Sequence, residues 1–201
     1  MDKKKLHHFW RRFRLLKPWY FFVVTGVFVT ICVFSLRNNY QQMVVLRNDV
    51  YQADKNNGNV SQALNDLRSY VYAHMNTNLS TGADTVYPPI QLKYTYDRLV
   101  AAEAARVSAA NSQIYTDAQH YCEQLYPNSF SGGPRVPCIT SYVSGHGIKA
   151  QTIPDGLYKF SFISPTWSPD LAGWSMVIAA LSGFLTVLLL LVRRWFKVSV
   201  K

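Results

Sequence analysis

The chain has 201 residues, 49% of them hydrophobic and 16% charged, with a formal net charge of +10. Lys3, Lys4, Lys5, Arg11, Arg12, Arg14 and Lys17 against Asp2 give +6 before Trp19; Arg193, Arg194, Lys197 and Lys201 give +4 at the other end. Residues 37–173 hold ten bases and ten acids, so a basic nucleic-acid-binding domain is excluded: the excess sits in two short tails beside apolar runs.

The first apolar run, residues 19–36, contains no charge. As a helix it would cover roughly 27 Å, close to the hydrocarbon thickness of a bilayer. Its basic flank places residues 1–18 in the cytoplasm. A cleaved signal peptide is the rival reading. The run exceeds a signal core of about 7–15 residues, and the exit Val33-Phe34-Ser35-Leu36-Arg37 has no small-x-small site. Ile31 also stands where a lipoprotein cleavage before Cys32 would want a small residue. Residues 19–36 are therefore read as an uncleaved signal anchor. Pro18 suits a first helical turn, and Trp19 and Tyr20 suit the membrane–water boundary. Cys32 reads as a small packing residue.

Residues 37–173 are expected outside the cytoplasm and mainly helical. Leu36, Tyr40, Met43, Val44, Val50 and Tyr51 recur at helical spacing, so the first span should continue as a helix to about Asp54. Asn56-Asn57-Gly58-Asn59 breaks it. Val60, Ala63, Leu64, Leu67, Val71, Met75 and Leu79 then form a second amphipathic run, stopped at Ser80-Thr81-Gly82. Together these predict a helical hairpin. Pro88-Pro89 reopens the chain, and residues 89–126 contain no further Gly or Pro, predicting one helix of roughly 55 Å. Its middle, residues 101–110, is rich in Ala and other small residues.

Cys122 and Cys138 are the two cysteines of the outer segment, 16 positions apart. In an oxidising compartment they are expected to pair, which stabilises the fold by about 3 kcal/mol in the chain-entropy model. His120 is close to Cys122, but no second pair has zinc spacing, so no metal and no cofactor are assigned. Residues 127–154 read as a turn-rich loop pinned by that disulfide. Residues 157–163 alternate like a strand without an evident partner. Ser168-Pro169-Asp170 reads as an N-cap, a first-turn proline and an acid at the positive helix end, starting the second span near Pro169.

The second apolar run, residues 174–192, is again free of charge, with Trp174 and Trp195 at its borders. Ser175, Ala179 and Gly183 recur every four residues, and Gly26 and Thr30 do so briefly in the first span. Such small-residue stripes allow close packing of membrane helices, either of the two spans on each other or onto neighbours.

No catalytic motif emerges: there is no Gly-rich phosphate loop, no Gly-x-Ser-x-Gly elbow and no His-Glu-x-x-His pair. His74, His120 and His146 lack local partner patterns; Gly145-His146-Gly147 reads as a loop histidine. Asp97 and Glu103 do not form a carboxylate pair. Asn59-Val60-Ser61 and Asn78-Leu79-Ser80 match the glycosylation sequon.

The fold class expected is an all-α membrane protein: two transmembrane helices flanking a mainly helical extracytoplasmic domain, with a hairpin, one long helix, a disulfide-pinned loop and a short extended segment. The arrangement of Pro165, Pro169 and Gly183 resembles bacterial polysaccharide chain-length regulators, which implies an oligomeric scaffold for envelope-polymer synthesis or export. The short outer domain, helical directly after the first span, departs from that family. The layout is also similar to periplasmic sensor modules, which implies a ligand pocket, expected near Tyr70, Tyr94 and Tyr96. Only nine residues follow the second span, so any output is expected from a separate protein. The expected function is a non-enzymatic subunit of the plasma (inner) membrane, partnered by the lipid bilayer and by a second copy or another membrane protein, without nucleic acid.

Overall fold

The computed structural model describes residues 17–80, 86–129 and 133–199. Most of the N-terminal basic tail, the Thr81-Gly82 helix stop and residues 130–132 and 200–201 lie outside the described residues. In chain order the elements are α1 (Pro18–Lys55), α2 (Val60–Ala73), β1 (Ile90–Gln91), α3 (Lys93–Leu125), α4 (Arg135–His146), a 3-10 turn (Asp155–Leu157), β2 (Lys159–Phe160) and α5 (Leu171–Ser199). The chain is mostly helical with little strand, and α1 and α5 are long and apolar enough to cross a membrane.

The contacts divide the chain into two compact units. The first holds Met1–Ala53, Asn59–Val86 and Ser161–Lys201, so far as they are described; the second holds Asp54–Gly58 and Tyr87–Phe160. This boundary runs through the segment expected as one outer domain: the hairpin groups with the spans, and α3 with α4.

In the first unit, α1 starts at Pro18, the position where a missing N–H is harmless, and runs unbroken past the apolar stretch. The hydroxyls of Thr25 and Thr30 donate back to the carbonyls of Phe21 (2.8 Å) and Gly26 (2.9 Å), so neither is left bare in the apolar run. At the end of α1 the chain passes through Asp54–Gly58 of the second unit, where Asn57 turns it at φ 53°; an asparagine tolerates this left-handed conformation better than most residues. Asn59 caps α2 by accepting the Gln62 N–H at 3.0 Å. Met43 and Val50 from α1 and Leu67 and Val71 from α2 are fully buried.

Two expectations are corrected here. The second amphipathic run was expected helical to Leu79, but α2 ends at Ala73. Asn76 takes φ 61°, and Thr77 donates to the Val71 and His74 carbonyls, so the last turn is closed by a side chain while Met75 and Leu79 stay buried. The periodicity persists because burial persists, not because the helix does. The second span starts at Leu171, not near Pro169: Asp170 is its cap, accepting the Gly173 N–H at 2.9 Å.

In the second unit, α3 packs on α4, and Cys122 is bonded to Cys138 with Cα atoms 6.0 Å apart. Helix α4 occupies part of the expected loop. Pro134 precedes it and Pro137 falls in its first turn, where backbone N–H groups have no intrahelical acceptor. Turn-forming composition therefore concealed a helix start. The strand-like stretch does find a partner. Ile90 pairs with Phe160 and Gln91 with Lys159, antiparallel, just before α3 begins at Lys93.

Candidate functional site

Three constellations stand out, two in the first unit and one in the second. The first is the seam between α1 and α5. Thr25 Oγ1 and Ser182 Oγ lie 2.9 Å apart, within hydrogen-bond distance, and Cys32 Sγ lies 3.7 Å from the Ala172 carbonyl it faces. On α5 the buried residues with side chains are Ala172, Ser175, Ala179, Ser182, Thr186 and Leu189 among those described. Their alternating spacing of three and four is that of a helix seam in a left-handed pair. Ser175 and Ala179 belong to this seam. Gly183 sits at its margin, where an added Cβ would lie 3.7 Å from the Thr25 methyl. Gly26 and Thr30 are exposed, and a Cβ on Gly26 would touch nothing within 4 Å. The structure thus brings Ser175, Ala179 and Gly183 toward α1 but leaves Gly26 and Thr30 off that contact.

The second constellation is a polar junction at the start of α5. Buried Asn39 donates to Asp170 Oδ2 at 2.7 Å and to the Met75 carbonyl at 3.4 Å. Ser168, also buried, accepts the Met75 N–H at 3.0 Å, and Asn76 donates to the Leu36 carbonyl at 3.1 Å. Burial pushes the Asp170 carboxyl up. The Gly173 N–H, the Asn39 amide, the Ser168 hydroxyl and nearby His74 together outweigh it and hold Asp170 below the ordinary carboxylate range. Tyr70 is raised, first by burial and then by the Asp170 charge. The Asp170 carboxylate thus ties α1 to the start of α5, and Asn39 and Ser168 extend the junction to Met75, just past α2. Sequence reasoning took Asp170 as a dipole partner only and did not mark Asn39. The available signal was a polar residue in helical phase with apolar ones, seven residues after Cys32 and four before Met43.

The third constellation lies on α3 and α4. Asp54 is almost fully buried and accepts the backbone N–H groups of Tyr94 (3.0 Å) and Thr95 (2.7 Å), the Thr95 hydroxyl (2.6 Å) and Arg98 (3.2 Å). It caps α3 from about forty residues upstream, which no local capping pattern reveals. The segment after α4 returns along α3. Asn111 exchanges hydrogen bonds with the Ile148 backbone, and Glu103 accepts the Gln151 N–H at 2.8 Å. Hydrogen bonds from Arg106 and from the Gln151 backbone, outweighing burial, lower the Glu103 carboxyl to about 2.

His74 and His146 play the same part in different units. Each ring Nδ1 lies at hydrogen-bond distance from the carbonyl four residues back, and each ring stacks on that tyrosine, Tyr70 or Tyr142, with centroids 4.1 and 4.2 Å apart. His146 ends α4 rather than standing in a loop, a second correction to the turn-rich reading. No group of three or more metal-ligating side chains occurs among the described residues. Of the tyrosines expected around a ligand, Tyr70 stacks on His74 in the first unit and Tyr96 meets Tyr158 in the second. A cavity of about 350 Å³ lies in the second unit beside Tyr115, Val136, Ile139, Thr140, Val143 and Ser144.

No protein family, curated protein or solved structure matches this chain.

Proposed function

We propose that the chain is a non-enzymatic integral membrane subunit: α1 and α5 cross the plasma membrane, both tails are cytoplasmic, and residues 37–173 face outward and bind a partner protein or envelope component. The observation that supports this reading is the uncovered apolar surface of α3. Along 33 residues only Ala118 and Cys122 are buried, while Tyr94, Tyr96, Val100, Tyr115, Tyr121 and Leu125 are exposed. Aromatic side chains offer large contact area at low entropic cost, which makes them frequent interface anchors. Asp54, the disulfide and the returning segment all hold this helix in place.

The test is photo-crosslinking from Val100 and Tyr121 in the native membrane, followed by native mass in mild detergent. A discrete protein or polymer adduct in a complex of defined mass is expected. A bare monomer with no adduct at either position overturns the reading. A ring-like homo-oligomer would move it to the scaffold for envelope polymers. The second reading, a ligand-binding accessory, draws on the cavity beside Tyr115 and Val143, and a thermal shift with a metabolite panel tests it.

A further inference from the structure

The contacts between α1 and α5 set a register that two apolar runs leave open. Cys32 faces the Ala172 carbonyl, so the first turn of α5 is level with Cys32. Arg37 is the first charge after the run, five residues beyond Cys32, or roughly 7.5 Å further along the helix. The first turn of α5 therefore lies below the level of that charge. The segment leading into α5 folds down onto the same turn. A Cβ on Gly173 would come within 1.8 Å of the Ser168 carbonyl oxygen and 2.9 Å of Trp167 Nε1, so glycine alone admits this approach. Trp167 then meets Trp174 edge to face, with ring centroids 6.0 Å apart.

Near this level large apolar side chains stay exposed: Trp167 is 44% exposed, Leu171 66%, Trp174 55% and Phe34 67%. The patch continues along α5 through Ile178, Leu181 and Leu185, all exposed at alternating spacings of three and four. The polar groups beside it are turned on one another: Asp170 with Asn39 and Gly173, and Ser168 with Met75.

We propose that the segment around Trp167, and not only the two helices, enters the outer leaflet, with the Trp167–Trp174 pair seated between hydrocarbon and head groups. The occupant of the patch is lipid, because the patch is continuous with the face of α5 that a bilayer would cover. An indole suits this depth, with an apolar body and a single N–H donor. The proposal rests on the reading that α1 and α5 cross a membrane.

The test uses the full chain in phosphatidylcholine bilayers carrying bromine at defined acyl depths. Two variants retain one tryptophan each, Trp167 or Trp174, with the others changed to Phe. Both are expected to be quenched, at least twofold more strongly by bromine near the head groups than by bromine near the chain ends. Quenching of Trp174 without Trp167 overturns the proposal and leaves the spanning reading intact. Quenching of neither overturns both. Because multiple Phe substitutions can impair folding, benzoylphenylalanine is also placed at position 167 in the otherwise native chain. Phospholipid adducts are expected there, and adducts to protein alone overturn the proposal.

Discussion

Helices α2 and α3 solve the same problem in opposite ways. Helix α2 has 14 residues and buries Leu67 and Val71 completely, as α1 buries Met43 and Val50. Helix α3 has 33 residues and buries only an alanine and a disulfide-bonded cysteine. Packing stabilises the first. The second depends on Ala-rich helix propensity, a carboxylate cap from Asp54, a covalent link and a segment laid along one side. Surface that stability does not use is surface left for a partner, which is why α3 carries the functional proposal and α2 does not.

Core truncation gives the sharpest contrast. Leu67→Ala should cost about 2–5 kcal/mol, the usual range for an aliphatic side chain deleted from a filled core. Val100→Ala on the exposed side of α3 should stay within about 0.5 kcal/mol. Denaturant melts of the two variants decide it; equal losses would mean that α3 has a packed face after all.

Next in size is the disulfide. Changing Cys122 and Cys138 together to Ser should remove about 3 kcal/mol from the second unit. Hydrogen exchange should then quicken across Arg135–His146, a helix with no buried residue, while Val60–Ala73 keeps its protection. Unchanged exchange in α4 would show that its contacts with α3 suffice without the bond.

Within the first unit, two glycines near the α1–α5 contact should behave differently. Gly173→Ala forces a Cβ into the Ser168 carbonyl and should cost about 1–3 kcal/mol, as overpacking does. Gly183→Ala meets only ordinary contact with Thr25 and should lie within about 0.5 kcal/mol, whereas Gly183→Leu should separate the helices. Thermal melts in lipid nanodiscs would compare all three.

The smallest effects are electrostatic, and pH separates the units. Asp170 is held below its ordinary range, so its stabilisation is present above the unfolded carboxylate pKa and is lost as pH falls through the lower folded value. Asp170→Asn should flatten the acid limb of the melting curve of the first unit. Glu103 falls from an ordinary 4.5 to about 2, so its contribution should fade between those values and vanish in Glu103→Gln. Residue-resolved exchange between pH 5 and pH 2, values chosen to bracket roughly that window, would show each loss in its own unit.

What could be read without coordinates was periodic or compositional. Two charge-free runs of near-bilayer length, the Asn57-Gly58 break, the amphipathic repeat through Leu67 and Val71 and the long helix after Pro89 all repeat a local physical preference many times over. The pairing of Cys122 with Cys138 followed from there being no other partner in the outer segment. Tertiary structure decided what depends on single distant contacts. Asp54 caps a helix some forty residues away, Asn39 and Asp170 meet across 131 positions, and Ile90 pairs with Phe160. It also chose which small residues face the other span: Thr25, Ser182 and Thr186 join the seam while Gly26 and Thr30 do not. A four-residue stripe and a three–four repeat share positions for one turn and then diverge by about 100° per residue of offset, and only the neighbouring helix selects between them.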